Sequence, residues 1–262
     1  MKILTKESTG TEQKKLVLVT GIHGNEASLF EPLKKSLEEF SSESITVTLI
    51  LANELAAQKN VRYIDQDLNR SFTKDFLVEN NETKIVKNLF LYCRGDFIID
   101  FHTHSGEEQF ALVSKKHFNG SVKDLIQYID IKNCILLADS VVGNVSLISN
   151  FENSLTIEAG RHATPQAGDF AVNCFHKVVQ YLEGEIKEKK VDKVNFLDAK
   201  RFFYNTTTED YFLHHPLLNF KKIQEEVLLP GGKLFPGTVP VLISYRSKPG
   251  KKILLICETL EE

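Results

Sequence analysis

Apolar positions along the chain follow two alternating periods. Leu16, Val17, Leu18 and Val19 run without interruption and stop at Gly21, the pattern of a buried strand. Residues 27–40 place Leu29, Phe30, Leu33, Leu37 and Phe40 at helical spacing with Lys and Glu opposite, which predicts an amphipathic helix. Residues 45–52 alternate and then run apolar, as an inner strand does. The helical period returns over 81–93 (Ile85, Val86, Leu89, Phe90) and 168–183 (Phe170, Cys174, Val178, Tyr181, Leu182). Residues 96–101 predict a strand that runs directly into His102-Thr103-His104. Further strands are predicted at 109–114, 133–138 and 154–158, with a short helix near 121–129. Strands interleaved with helices predict an α/β fold.

Two stretches depart from this pattern. Residues 53–76 are polar and nearly aperiodic. A long polar loop in a compact domain is either functional or disordered, and the embedded Tyr63, Ile64, Leu68 and Phe72 argue against disorder. After the charged stretch 183–193 the segments become short and β-like, separated by Pro230-Gly231-Gly232, Pro236-Gly237, Pro240 and Pro249-Gly250. The expected division is an α/β domain over 1–186 and a small β-rich C-terminal domain over 191–262.

Composition changes this picture little. The 262 residues are 42% hydrophobic and 26% charged, with net charge −3. That balance argues against a nucleic-acid surface, and no apolar run reaches the length of a membrane span. The first residues lack the apolar core of a signal peptide. Cys93, Cys134, Cys174 and Cys257 are far apart and read as buried, reduced thiols of a cytoplasmic protein.

The candidate chemistry lies at strand ends. His23 and Glu26 follow the first strand on a glycine-containing loop, where open α/β sheets bind ligands. An imidazole and a carboxylate suit zinc, and a catalytic site needs one more protein ligand. His102 is a candidate, with His104 as its rival, because alternation puts both on one strand face. Glu158 finishes a third apolar strand, where an unpaired carboxylate would be costly. It reads as a general base. Arg62 is a candidate for oxyanion stabilisation, and Asn69 with Arg70 for holding a substrate carboxylate. Asp65 and Asp67 read as braces of the polar loop, with Arg62 or Arg70 as ion-pair partners. The plainer alternatives are a core histidine at 102 and a helix-terminal acid at 26.

Four motifs occur together: Gly-Ile-His-Gly-Asn-Glu at 21–26, Arg-Tyr-Ile-Asp-Gln-Asp-Leu-Asn-Arg-Ser-Phe at 62–72, Asp-Phe-His at 100–102 and Thr-Ile-Glu-Ala-Gly at 156–160. In this order they resemble the succinylglutamate desuccinylase/aspartoacylase family, a branch of the zinc carboxypeptidase-like fold. The resemblance implies a central mixed, largely parallel sheet flanked by helices, and one zinc per chain on His23, Glu26 and His102. It implies Glu158 as base, Arg62 as the carbonyl-polarising residue and Asn69 with Arg70 as the carboxylate clamp. The implied substrate is a small N-acylated amino acid or related amide. A carboxypeptidase acting on short peptides is the nearest rival, and a non-catalytic binding module is the rival of another class. The sequence departs from the aspartoacylase branch in having no arginine between His102 and Glu158. Arg161, beside His162, is the candidate for a second acidic group. Tyr245 is the candidate for that branch's C-terminal tyrosine, with Tyr211 as its rival. The β-rich end is a candidate surface for a homo-oligomer.

Overall fold

Leu16 to Val19 lie almost wholly buried because their strand, β2 (Lys14–Thr20), runs through the middle of one half of a large sheet. It has parallel neighbours on both sides, β3 (Ile45–Leu51) and β4 (Phe97–His104). Next to β4, again in parallel, comes β7 (Ser154–Arg161). β1 (Lys2–Lys6) closes that edge antiparallel to β3. On the far side β5 (Phe110–Ser114) runs antiparallel to β7, and β6 (Asn133–Leu137) runs parallel to β5. The computed structural model describes residues 1–11, 13–72, 79–184, 194–204, 219–229, 232–242 and 252–260.

Side chains alternate across β2, so its neighbours divide into two layers. Leu16 and Leu18 face one core with α1 (Phe30–Glu39), α4 (Gly120–Tyr128) and, after the short α5 (Asp139–Val142), α6 (Pro165–Glu183). Val17 and Val19 face the other, with Ile85, Val86 and Leu89 of α3 (Asn81–Tyr92). This is the expected α/β architecture: a mixed sheet flanked by helices.

Helix boundaries shift by a few residues, with local causes. The amphipathic stretch expected from residue 27 begins as a 3₁₀ turn over Gly24–Leu29, and the α-helix starts at Phe30. α6 begins three residues earlier than expected, at Pro165, where the preset φ of proline suits a first turn. The Thr164 hydroxyl caps it, accepting from the Ala167 amide at 3.3 Å. The aperiodic stretch also contains order: α2 (Glu54–Gln58), capped by Asn53, and a 3₁₀ turn over Leu68–Arg70, capped by Asp67. Leu68 and Phe72 are fully buried, whereas Tyr63 stays 42% exposed.

After α6 comes β8 (Asn195–Tyr204), which pairs in parallel with β6. The order then runs β8-β12-β11, with β12 (Lys252–Thr259) and β11 (Thr238–Leu242) antiparallel. A two-stranded ribbon, β9 (Val227–Leu229) with β10 (Gly232–Leu234), lies apart from the main sheet. The C-terminal β region is therefore present, and three of its strands extend the main sheet to ten. The proposed boundary at 186–191 falls outside the described residues.

Candidate active site

The carboxyl ends of β2, β4 and β7 lie side by side because these strands are parallel neighbours. His23 stands just beyond β2. The 3₁₀ turn after it, in which the Glu26 amide donates to the His23 carbonyl at 3.0 Å, folds Glu26 back against the histidine. Two contacts hold this turn in place. The Gly24 amide donates to the Arg62 carbonyl at 3.0 Å, and the Gly24 Cα packs on α2 so closely that a Cβ would lie 2.2 Å from the Ala56 carbonyl carbon.

His102 lies within β4 rather than after it, directly across from Glu158 of β7. Beyond this pair the register slips, and His104 meets Arg161. Gly160, at φ 103°, occupies the slipped segment, a backbone region that favours glycine. β7 thus continues past Glu158 to Arg161, where the sequence suggested an end.

Three buried side chains converge. Glu26 Oε1 lies 2.9 Å from His23 Nδ1, and Glu26 Oε2 lies 2.8 Å from His102 Nδ1. One ligand atom from each of the three residues lies within 4.8 Å of the other two. The far nitrogen of each ring is held by a carboxylate: His23 Nε2 by Asp67 at 3.3 Å, and His102 Nε2 by Asp100 at 3.0 Å. An aspartate on Nε2 fixes the ring with Nδ1 turned inward, so that a metal displacing the Nδ1 proton would meet the orientation usual for metal-binding histidines. Burial raises the Glu26 carboxyl, but the two histidines outweigh it and hold the group well below the carboxylate range. Burial lowers the His102 imidazole, but Asp100 and Glu26 hold it well above its ordinary value. Glu26 is thus held as the anion, and its charge together with that of Asp100 favours positive charge on His102. The donor set fits a divalent cation.

The polar loop supplies the next ring of groups. Arg62 Nε and NH2 both donate to Asp67 Oδ2 at 3.1 Å, and NH1 reaches Glu26 Oε1 at 3.4 Å. Asp67 therefore braces the loop as expected, but it also contacts a candidate ligand. Burial opposes its ionisation, and His23, Arg62 and Arg70 together hold its carboxyl far below the usual range. Asn69 Oδ1 accepts from the Leu147 amide at 3.1 Å, which fixes the side chain. Exposed Arg70 donates to the Asn69 carbonyl at 2.7 Å. Under the loop lies Glu82, fully buried at the start of α3. Its carboxylate accepts from the amides of Ile64, Asp65 and Gln66 and from the side chains of Asn53 and Asn81. Nothing in the local sequence pattern singled out Glu82. The order of the loop that carries Arg62 and Asp67 depends on it.

Glu158 faces the same centre, and its buried Oε2 has no hydrogen-bond partner. Burial pushes its carboxyl up, and the Glu26 charge adds to this, against the lowering pull of the histidines. His104 is fully engaged elsewhere: Nε2 lies 2.8 Å from the Glu108 carbonyl, and Nδ1 accepts from the Gly106 amide at 3.0 Å. Of the two histidines the alternation left open, only His102 joins the cluster. His162 Nδ1 bonds the Thr103 hydroxyl at 2.7 Å. Arg161 is over half exposed and pairs with Glu107 at 2.7 Å; it is not among the residues that line the cavity. Tyr245 and Tyr211 lie outside the described residues.

A cavity of about 460 Å³ opens over these groups, in the size range of small-molecule sites. Its polar side carries His23, Glu26, Arg62, Asn69, Arg70, His102, Glu158 and His162. Apolar side chains of β5, β6, β8 and β12 complete the lining, with Phe110 directly across from Glu158. Among the described residues, no helix is long and apolar enough to cross a membrane.

Comparison with known proteins gives a consistent result. The model of the succinylglutamate desuccinylase/aspartoacylase catalytic domain matches residues 12–179. A probable aspartoacylase of Prochlorococcus marinus is 38% identical over 69 residues, covering 25% of this chain and 22% of that protein. An N-acyl-aromatic-L-amino acid amidohydrolase (carboxylate-forming) of Xenopus laevis is 28% identical over 167 residues, covering 55% of this chain and 54% of that protein. The chain thus spans about half the length of this relative or less in either match. A succinylglutamate desuccinylase structure from Vibrio parahaemolyticus superposes with a TM-score of 0.73 at 18% identity, covering 99% of this chain and 86% of that one. This likeness shows the fold.

Proposed function

The chain belongs to the succinylglutamate desuccinylase/aspartoacylase family, and from that membership we propose that it is a metal-dependent amidohydrolase that releases the acyl group of a small N-acylated amino acid. The observation that carries this reading is the meeting of His23, Glu26 and His102 in the cavity that also holds Glu158. The proposed ion is zinc, one per chain, on His23 Nδ1, the Glu26 carboxylate and His102 Nδ1. When bound it would supply a Lewis acid and make a nearby water more acidic.

The remaining work falls to the chain's own groups. Glu158 takes the proton of the attacking water and passes it to the leaving amine. Its unpartnered oxygen and its raised carboxyl suit a group that must both accept and donate. Arg62, held in place by Asp67 and Glu26, faces the cavity and stabilises the negative oxygen as the carbonyl becomes tetrahedral. Arg70 and the Asn69 amide hold the substrate carboxylate and so place the scissile bond. Water adds across the amide, and a carboxylate and a free amine leave. The buried free cysteines agree with the reducing cytoplasm proposed for its location.

The test has two arms. Elemental analysis of the purified protein is expected to find about one zinc per chain, lost in His23→Ala and His102→Ala and kept in His104→Ala. Glu158→Gln is expected to keep the metal and lose at least ~100-fold in kcat against the best N-acyl amino acid. A parent that takes up no divalent metal would return the chain to the class of binding modules, and a Glu158→Gln variant as active as the parent would remove Glu158 as the base. Faster cleavage of short peptides than of acyl-amino acids would favour the carboxypeptidase reading.

A further inference from the structure

We infer that the substrate carries a single carboxylate and that its other end is apolar, so the enzyme discriminates against N-acylated dicarboxylic amino acids. The inference rests on the proposed hydrolase function and specifies the substrate class of the same site. It follows from how charge is divided over the cavity. Among the described lining residues the arginines are Arg62 and Arg70, and no lysine is present. Arg62 is already engaged by Asp67 and Glu26, which leaves Arg70 to meet an incoming carboxylate. The apolar part of the lining includes Phe110 and Leu112 of β5, which lie directly across from Glu158 and Thr156 of β7, Ile135 and Leu137 of β6, Phe202 of β8 and Leu255 of β12. These six come from adjacent strands of the sheet and present carbon to the cavity. Arg161, the arginine expected to take a second acidic group, is turned away to Glu107.

A second carboxylate placed against this wall would lose its water and meet neither a lysine nor a further arginine among the described residues, which is costly. An alkyl or aromatic group placed there would instead leave water for apolar contact, which is favourable. The apolar group has two possible sources, the side chain of the amino acid or the acyl chain itself. The wall recognises either by the same chemistry.

The experiment measures kcat/KM of the metal-loaded protein for five compounds: N-acetyl-leucine, N-acetylglycine, N-hexanoylglycine, N-acetylaspartate and N-succinylglutamate. The expected result is a preference on the order of a hundredfold for N-acetyl-leucine or N-hexanoylglycine over N-acetylaspartate. Whichever of the two is preferred shows which end of the substrate meets the wall. A preference for N-acetylaspartate or N-succinylglutamate, or equal rates for leucine and glycine derivatives, would overturn the inference while leaving the hydrolase reading intact. If no compound is hydrolysed, the hydrolase reading fails. Calorimetric binding of N-acetyl-leucine against N-acetylaspartate to Glu158→Gln then still decides the inference, with tighter binding of the dicarboxylate overturning it. In Leu137→Arg, checked for folding by its thermal melt, the preference should fall at least tenfold toward N-acetylaspartate. An unchanged preference in a folded variant would also overturn it.

Discussion

Asp67 and Asp100 show how single residues fix the chemistry of their neighbours. Each accepts from the outer nitrogen of a candidate ligand histidine, and Asp100 also bonds the Thr156 hydroxyl at 3.3 Å. Replacing Asp100 by Asn should leave the fold intact and weaken metal binding ~10–100-fold, measured by competition with a chelator. Glu82 acts on the backbone instead. Glu82→Ala removes the acceptor of three amides and two side-chain amides, and should cost about 3 kcal/mol of unfolding free energy by denaturant titration. The sign of its pH effect follows from its carboxyl. Burial raises it, but the donors from Ile64, Asn53, Asp65 and Asn81 outweigh that and hold it below the ordinary 4.5. The stabilisation is therefore complete above about pH 5 and is lost as pH falls through the depressed folded value. The melting advantage of the parent over Glu82→Gln should shrink below about pH 4.5. At this scale the sequence was readable where residue type and spacing carry the chemistry, as with His23 and Glu26. Glu82 was not readable, because its five partners come from residues 53, 64–66 and 81, which only the fold brings together.

Elements position these residues through contacts that periodicity does not express. The amphipathic spacing of residues 27–40 is real, and Leu29, Phe30, Leu33 and Leu37 are buried. The chain nevertheless enters α1 through a 3₁₀ turn, since that turn brings Glu26 onto His23. Gly24 allows the turn to press against α2. In Gly24→Ala the added methyl would meet backbone atoms at 2.2 and 2.4 Å, so α2 or the turn must move. The expected cost is about 3 kcal/mol, with a matching loss of metal affinity, read by thermal melts with and without zinc. His102 and His104 illustrate the same limit. Strand alternation makes them equivalent, and the choice between them comes from the loop after β4, whose Gly106 amide and Glu108 carbonyl occupy both nitrogens of His104.

For the whole molecule, the alternation of strands and helices was sufficient to predict an α/β fold, and the family resemblance supplied the mixed sheet flanked by helices. The addition of β8, β12 and β11 to that sheet was not visible, because short β segments among prolines look alike whether they form their own sheet or join another. The join matters for the cavity, since Phe202 and Leu255 complete its apolar wall. The four cysteines offer a way to follow it in time. All are buried, and burial pushes the thiols of Cys93, Cys174 and Cys257 up to about 12, so a thiol reagent should label none of them in the native protein. Cys257 lies on β12 in the C-terminal strands, whereas Cys93, Cys134 and Cys174 lie in or beside the α/β layers. Labelling therefore acts as a clock with separate hands for the two ends of the chain. If the C-terminal strands detach on their own, Cys257 will be tagged in mass spectra before the other three. If the ten strands open as one unit, all four tags will arrive together.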